Sequence, residues 1–269
     1  MGHDVPMMSR WAVLLFVVGS FTARADALAD FTTLSESERR EVVKATAREE
    51  LERIMKETPQ SKLLAMGQRI ILSVNTYSYR MQKQERVKGE LLPQQIIDVY
   101  VREVPFAVRL HYVKGPGAGR KLVFNPSVRA DEFRVKEAGF LSVAGAIWLN
   151  VDSSFAKSDS NHTVREAGIG TLLGRLIRDT ERSKPLGGFT LVPEGWNEKG
   201  EYCGSYLSPP ASPPFDYAKT RICTDLMSGV PMQVDGYGTK GELLELWHFS
   251  DFKPDTFPNE FFDPDKARF

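Results

Sequence analysis

A period of two over residues 77–124 constrains this chain more than any other feature of it. Along residues 77–86 large and polar side chains alternate, which puts Tyr77, Tyr79, Met81, Lys83 and Glu85 on one face of a strand. Gly89 and Pro93 break the run. Residues 94–113 read as a second strand kinked at Pro105, and the Gly-rich 115–119 segment turns the chain into a third strand at 121–124. Beyond Pro105, Phe106, Val108, Leu110 and Tyr112 point one way, while Ala107, Arg109, His111 and Val113 point the other. One face of this antiparallel meander therefore meets something apolar, and the other meets water or polar partners.

Helices flank the meander. Ser35-Glu-Ser-Glu38 has the form of a capping box and opens a helix that Thr58-Pro59 stops. A second helix is expected over 61–72. Thr163-Val-Arg-Glu166 is another capping box. After it Ile169, Leu172, Leu173, Leu176 and Ile177 form a single apolar stripe on a helix ending near Ser183. Gly168, Gly170 and Gly174 are unfavourable in a helix, so they point to close approach against the concave face of a sheet.

The segment 138–151 reads as a strand with Trp148 facing inward. Further strands are expected over 188–193, 201–207, 217–226, 232–237 and 243–249. Phe257, Phe261 and Phe262 suggest that the Pro-rich C-terminus packs against the domain. Short strands joined by hairpin turns, with few helices, make an α+β class with a strongly curved antiparallel sheet.

The N-terminus carries Arg10 and then an apolar run, 11–21, too short to span a bilayer and of the size of a secretory signal core. Cleavage is expected after Ala25, leaving 26–269 as a single exported domain. No Cys stands near that site, so no lipid anchor is expected; a soluble periplasmic protein, and a monomer, is the expectation, with an N-terminal anchor helix as the alternative. Equal numbers of basic and acidic side chains, 35 of each, argue against a nucleic-acid partner. No later stretch is apolar enough for a transmembrane segment.

Cys203 and Cys223 are the only cysteines. Their midpoint falls in the proline-rich 208–215 segment, a strong strand breaker. Two strands hinged there bring the thiols opposite one another, so a disulfide is expected in an oxidising compartment. Two buried free thiols are the alternative.

Catalytic signatures are absent. The 115–119 loop precedes a strand and lacks the Gly-Lys-Ser/Thr of a P-loop, and neither Gly-x-Ser-x-Gly nor His-Glu-x-x-His occurs. His111, His162 and His248 share no metal-ligand spacing and read as structural or surface residues. Neither cofactor, metal nor enzymatic activity is expected. Glu85-Arg86 and Arg102-Glu103 lie on successive strands and are expected to pair across the hairpin. If helices cover the concave face incompletely, a cleft for an apolar ligand results. Phe106, Val108, Leu110, Tyr112, Trp148, Leu172 and Leu176 are its expected lining, with ordinary core packing as the alternative for each. A protein-interaction or envelope-sensor module without a ligand, using the Arg109 and His111 face or a sheet edge, is the second reading.

Lys83-Gln-Glu-Arg-Val-Lys-Gly-Glu-Leu91 followed by Val101-Arg-Glu-Val-Pro-Phe-Ala-Val108 resembles a bacterial secreted family of unknown function, marked by Glu-Arg…Gly and Arg-x-x-Pro-Phe-x-Val. Gly168-Ile-Gly170 and the Cys203 region look like the same family, so the resemblance spans about 77–249. That family is similar in layout to periplasmic lipoprotein carriers of the LolA and LppX type. The resemblance implies a half-barrel with helices on its concave face around a hydrophobic cavity. It also implies a non-enzymatic role in binding a lipid, an acylated protein or another hydrophobic ligand.

Overall fold

The computed structural model describes residues 31–139, 143, 145–209, 215–267 and 269. The expected signal segment and its cleavage site lie outside these residues, as do 210–214 of the expected proline hinge. Two compact units divide the chain: one up to Thr58 together with Leu226–Ser228, the other Pro59–Asp225 with Gly229–Phe269.

The smaller unit holds helices α1 (Glu36–Ala45) and α2 (Arg48–Glu57). The capping box is in place: Glu38 N–H donates to Ser35 Oγ, and Ser35 N–H donates to the Glu38 carboxylate. A single helix was the expectation for this stretch. The chain instead leaves α1 at Thr46, whose φ of −107° and ψ of 136° are extended, and restarts after Ala47. Neither Gly nor Pro marks the break. Arg39 is fully buried and donates to the carbonyls of Leu34, Met227 and Ser228, a structural use of its charge.

The larger unit opens with α3 (Gln60–Val74) and continues through β1 (Thr76–Val87), β2 (Glu90–Leu91), β3 (Gln95–Arg102), β4 (Ala107–Lys114), β5 (Lys121–Phe124), β6 (Glu132–Lys136) and β7 (Ala146–Asn150). Then come α4 (Ile169–Ser183), β8 (Thr190–Trp196), β9 (Tyr202–Leu207), β10 (Lys219–Asp225), β11 (Val230–Tyr237) and β12 (Leu243–Pro254). All pairings are antiparallel, in the order β7-β6-β5-β4-β3-β1-β12-β11-β10-β9-β8, with β2 attached to β1. The sheet is thus two meanders joined at β1. One runs out to the β7 edge. The chain then crosses by α4 to the β8 edge and returns to β12, beside β1. The edges β7 and β8 do not pair, so the sheet stays open.

Strands about 4.8 Å apart make the seven from β7 to β12 about 29 Å wide when flat. Side chains from all seven line one concave pocket, so the sheet must wrap around it. This is the α+β class and the curved antiparallel sheet expected from the sequence. The apolar stripe of α4 faces inward as expected, with Ile169, Leu172, Leu173 and Leu176 buried in the same core as Leu64 and Ile71 of α3.

Three expectations need correction. Residues 94–113 form the hairpin β3–β4, not one kinked strand. Its turn is held by Asn75, which accepts from Val104 N–H and donates to the Val104 carbonyl. The capping box at Thr163 caps only a 3-10 turn, Val164–Glu166, and α4 starts after Gly168, at φ 109°. Glu85 and Arg102 sit near opposite ends of the β1–β3 ladder and do not pair. Arg86 donates instead to the carbonyls of Leu243 and Gly89, and Arg102 to Pro105 and Asn259.

Cys203 and Cys223 are direct partners in the β9–β10 register and form a disulfide. Closing a loop across a sequence separation of 20 stabilises the fold by about 3 kcal/mol in the chain-entropy treatment.

Gly168 and Gly170 at the start of α4 do what the sequence suggested, whereas Gly174 faces Arg178 and Gln68 of α3 rather than the sheet. The helix N-terminus abuts the sheet, where Ile169 N–H donates to Tyr77 Oη (2.9 Å) and Gly170 N–H to Glu103 Oε1 (3.2 Å). Tyr77 Oη itself donates to Glu103 (2.6 Å). A Cβ on Gly170 would overlap the Glu103 carboxylate. Gly170→Ala is therefore expected to lower stability by about 1–2 kcal/mol, a crowding cost partly offset by the better helix propensity of Ala. Chemical denaturation checks this, and an unchanged midpoint contradicts it.

Candidate functional site

The alternation of β1 turns Tyr79, Met81, Lys83 and Glu85 toward the concave side. There they line a cavity of about 100 Å³ together with Ile97, Leu110, Tyr112, Leu122, Phe133, Val135, Leu149 and Phe249 from the neighbouring strands. A loop, 152–163, lies over it, and Phe155 and Ala156 of that loop supply part of the wall. The walls are apolar along the sheet and charged where the loop crosses the strands.

The charged end is an interlocked network. Glu85, almost fully buried, accepts from Asn161 N–H (2.7 Å) and Ser160 Oγ (3.1 Å) and pairs with Lys83 Nζ (3.2 Å). Burial pushes the Lys83 ammonium pKa down, but Glu85, Tyr112 and Asp159 outweigh it and hold the group above the ordinary lysine value. His162 lies between two carboxylates, Glu166 (Nδ1 to Oε2, 2.6 Å) and Glu245 of β12 (Nε2 to Oε1, 2.8 Å). Burial alone would lower its pKa; these partners raise it to about 9. Burial likewise raises Glu166, and the bond to His162 brings it down to about 2. Arg120 fastens the loop at a second point, pairing with Asp159 (2.9 Å) and Glu137 (2.9 Å) with its guanidinium over the Tyr112 ring.

Glu85, His162 and Glu245 each place a ligand-type atom within 4.8 Å of the others. Lys83 and Arg175 already face these carboxylates, at 3.2 and 3.9 Å. The trio is thus complete as a salt-bridge cluster, and a cation there would have to displace Lys83.

The seven residues expected to line a cleft separate. Leu110 and Tyr112 line the cavity. Phe106 and Leu172 line a groove next to it. Val108 and Leu176 are sealed in the core. Trp148 is on the other face: the β6–β7 register sets it opposite Arg134, and its ring lies beneath the guanidinium of Arg129. Its neighbour Leu149, opposite Phe133, takes the inward place. Sequence reasoning did not single out Lys83, Glu85, Asp159, His162, Glu245 or Trp247 as site residues. The period of β1 already gave the facing of Lys83 and Glu85; the loop offered no periodic signal.

The outer face carrying Arg109 is covered. Arg109 stacks over Phe261, Asn125 donates to the Phe262 carbonyl, and Arg134 donates to the Pro264 carbonyl. The C-terminal segment thus packs across β3 to β6, which removes Arg109 as an open interaction surface.

Residues 74–269 match a family described as protein of unknown function (DUF1571). No curated protein matches the chain. Among solved structures it is similar to an uncharacterized conserved protein from Thermus thermophilus, with 12% identity and a TM-score of 0.42 over 77% of this chain and 93% of the other. The lipoprotein LppX of Mycobacterium tuberculosis gives 16% and 0.41, over 74% and 99%. The MucA/MucB complex of Pseudomonas aeruginosa gives 15% and 0.41, over 74% and 58%.

Proposed function

We propose a function on the premise that this chain belongs to the DUF1571 family, whose function is unknown: it is a non-enzymatic, exported protein that takes an apolar group into the cavity of its curved sheet. An acyl chain of a lipid or of an acylated protein is the group that fits the lining. The observation that carries this reading is the wall itself, apolar side chains from seven adjacent strands partly covered by a single loop. A core built only for stability leaves few spaces larger than a water molecule.

The cavity is smaller than one of about 150 Å³ that holds a benzene ring. Entry of a chain therefore goes with displacement of the 152–163 loop, which takes Phe155 and Ala156 out of the way. Each buried methylene then contributes about 0.8 kcal/mol, so one chain gives useful affinity with few polar contacts. The charged groups around the cavity are engaged with one another, which supports binding over catalysis. Residues 1–25 act as the export signal in this reading. Among the described residues no helix is long and apolar enough to cross a membrane.

Protein purified from its source without detergent is expected to show, by native mass spectrometry, an added mass of lipid size that is lost on denaturation. A bare chain mass, with no lipid in a solvent extract, counts against the reading.

A further inference from the structure

Glu166 and Trp247 line the cavity on one side and, on the other, a groove of about 410 Å³ that runs along α4. Three guanidinium groups border this groove, those of Arg165, Arg175 and Arg178, and Arg165 already pairs with Asp131 and donates to the Ala130 carbonyl. The two carboxylates that share it are occupied. Glu103 accepts from Tyr77 Oη and Gly170 N–H, and Glu166 is bonded to His162 and Thr163 N–H. Arg178 is exposed and makes no ion pair among the described residues. Arg175 lies 3.2–3.3 Å from the two ring nitrogens of His162, so two cationic groups abut at the border of groove and cavity. Trp247 Nε1 is a buried donor with no acceptor among the described residues. Gly170 and Gly174 keep the helix side of the groove clear of side chains.

The guanidinium of Arg178, unpaired among the described residues, the long 3.9 Å pairing of Arg175 with Glu245 and the orphaned Trp247 N–H suit an oxyanion. Guanidinium forks match the paired oxygens of a phosphate or sulfate better than those of a neutral head. The apolar cavity lies directly beyond Trp247. We propose that the groove is the head-group site for an anionic amphiphile, with its phosphate-type oxyanion among Arg165, Arg175 and Arg178 and its alkyl chain in the cavity. The proposal rests on the reading that the cavity takes an apolar chain.

Calorimetric titration at fixed ionic strength, with dodecyl phosphate, dodecyl maltoside and inorganic phosphate kept below micelle-forming concentrations, tests it. Dodecyl phosphate is expected to bind at least about tenfold tighter than dodecyl maltoside, and inorganic phosphate far more weakly than either. Arg178→Ala and Arg165→Ala each narrow the gap between the two dodecyl probes by about tenfold. Arg182→Ala, on the same helix but outside the groove, keeps it. Equal binding of both dodecyl probes, with the arginine variants neutral, overturns the head-group site and leaves the cavity reading standing. Failure of both probes to bind overturns the cavity reading and this proposal with it. Inorganic phosphate binding as tightly as dodecyl phosphate overturns the assignment to an amphiphile.

Discussion

Glu85→Ala is expected to destabilise the fold by about 3–5 kcal/mol, because it leaves the buried Lys83 ammonium without its nearest counter-charge. For a domain of this size that is a fall in thermal midpoint of about 10 °C. The same change removes the acceptor for Asn161 N–H and Ser160 Oγ, so amide exchange across 152–163 should quicken well beyond the global effect. The double variant Lys83→Met/Glu85→Leu separates the two consequences. Replacing a buried pair by apolar side chains of similar size is often neutral for stability. The midpoint should therefore recover while the loop stays fast-exchanging. A single variant with wild-type midpoint and wild-type loop exchange contradicts the assigned role of Glu85.

The second large effect is a pH dependence centred on His162. Its pKa in the folded chain is about 9, against 6.5 for the free side chain. A raised cationic pKa contributes stability that is fully present below pH 6.5 and is lost as pH rises through about 9. The shift corresponds to about 3 kcal/mol. Glu166, lowered to about 2 from 4.5, reports the same pair from its other partner. Its contribution is present above pH 4.5 and is lost as pH falls toward 2, so the pair is at full strength between those limits, from pH 4.5 to 6.5. Because His162 ties the loop to Glu245 of β12 and to Glu166, the loss on the alkaline side should also loosen the cavity cover. Denaturation midpoints at about pH 6 and about pH 10 for wild type and His162→Gln check this. The wild type should lose stability between them and the variant should lose much less; parallel losses contradict the assignment.

What the sequence revealed and what it hid follow from the range of each interaction. Alternation along β1 is local, so it placed Lys83 and Glu85 on the same face as Tyr79 and Met81. It could not show that Glu245 and His162, from β12 and a loop, meet them there. The disulfide was legible because Cys203 and Cys223 flank a breaker at equal distances, and the ladder pairs them directly. The β3–β4 turn was missed because Asn75, from the end of α3, holds it. Hydrophobicity alone would turn Trp148 inward. Strand register decides facing, and Arg129 gives the indole an outward partner. The break between α1 and α2 has no residue in the sequence that would announce it.

Titration with a dansyl fatty acid, for wild type beside Leu122→Trp, tests most directly whether the cavity is a ligand site. Leu122 lines the cavity from β5, and an indole there fills the space that a chain would take. Saturable uptake of one probe per wild-type chain is expected, weakened about tenfold or more in a variant that circular dichroism shows to be folded. No saturable uptake by the wild type, or uptake unchanged when the cavity is filled, contradicts the assignment of the cavity as the binding site.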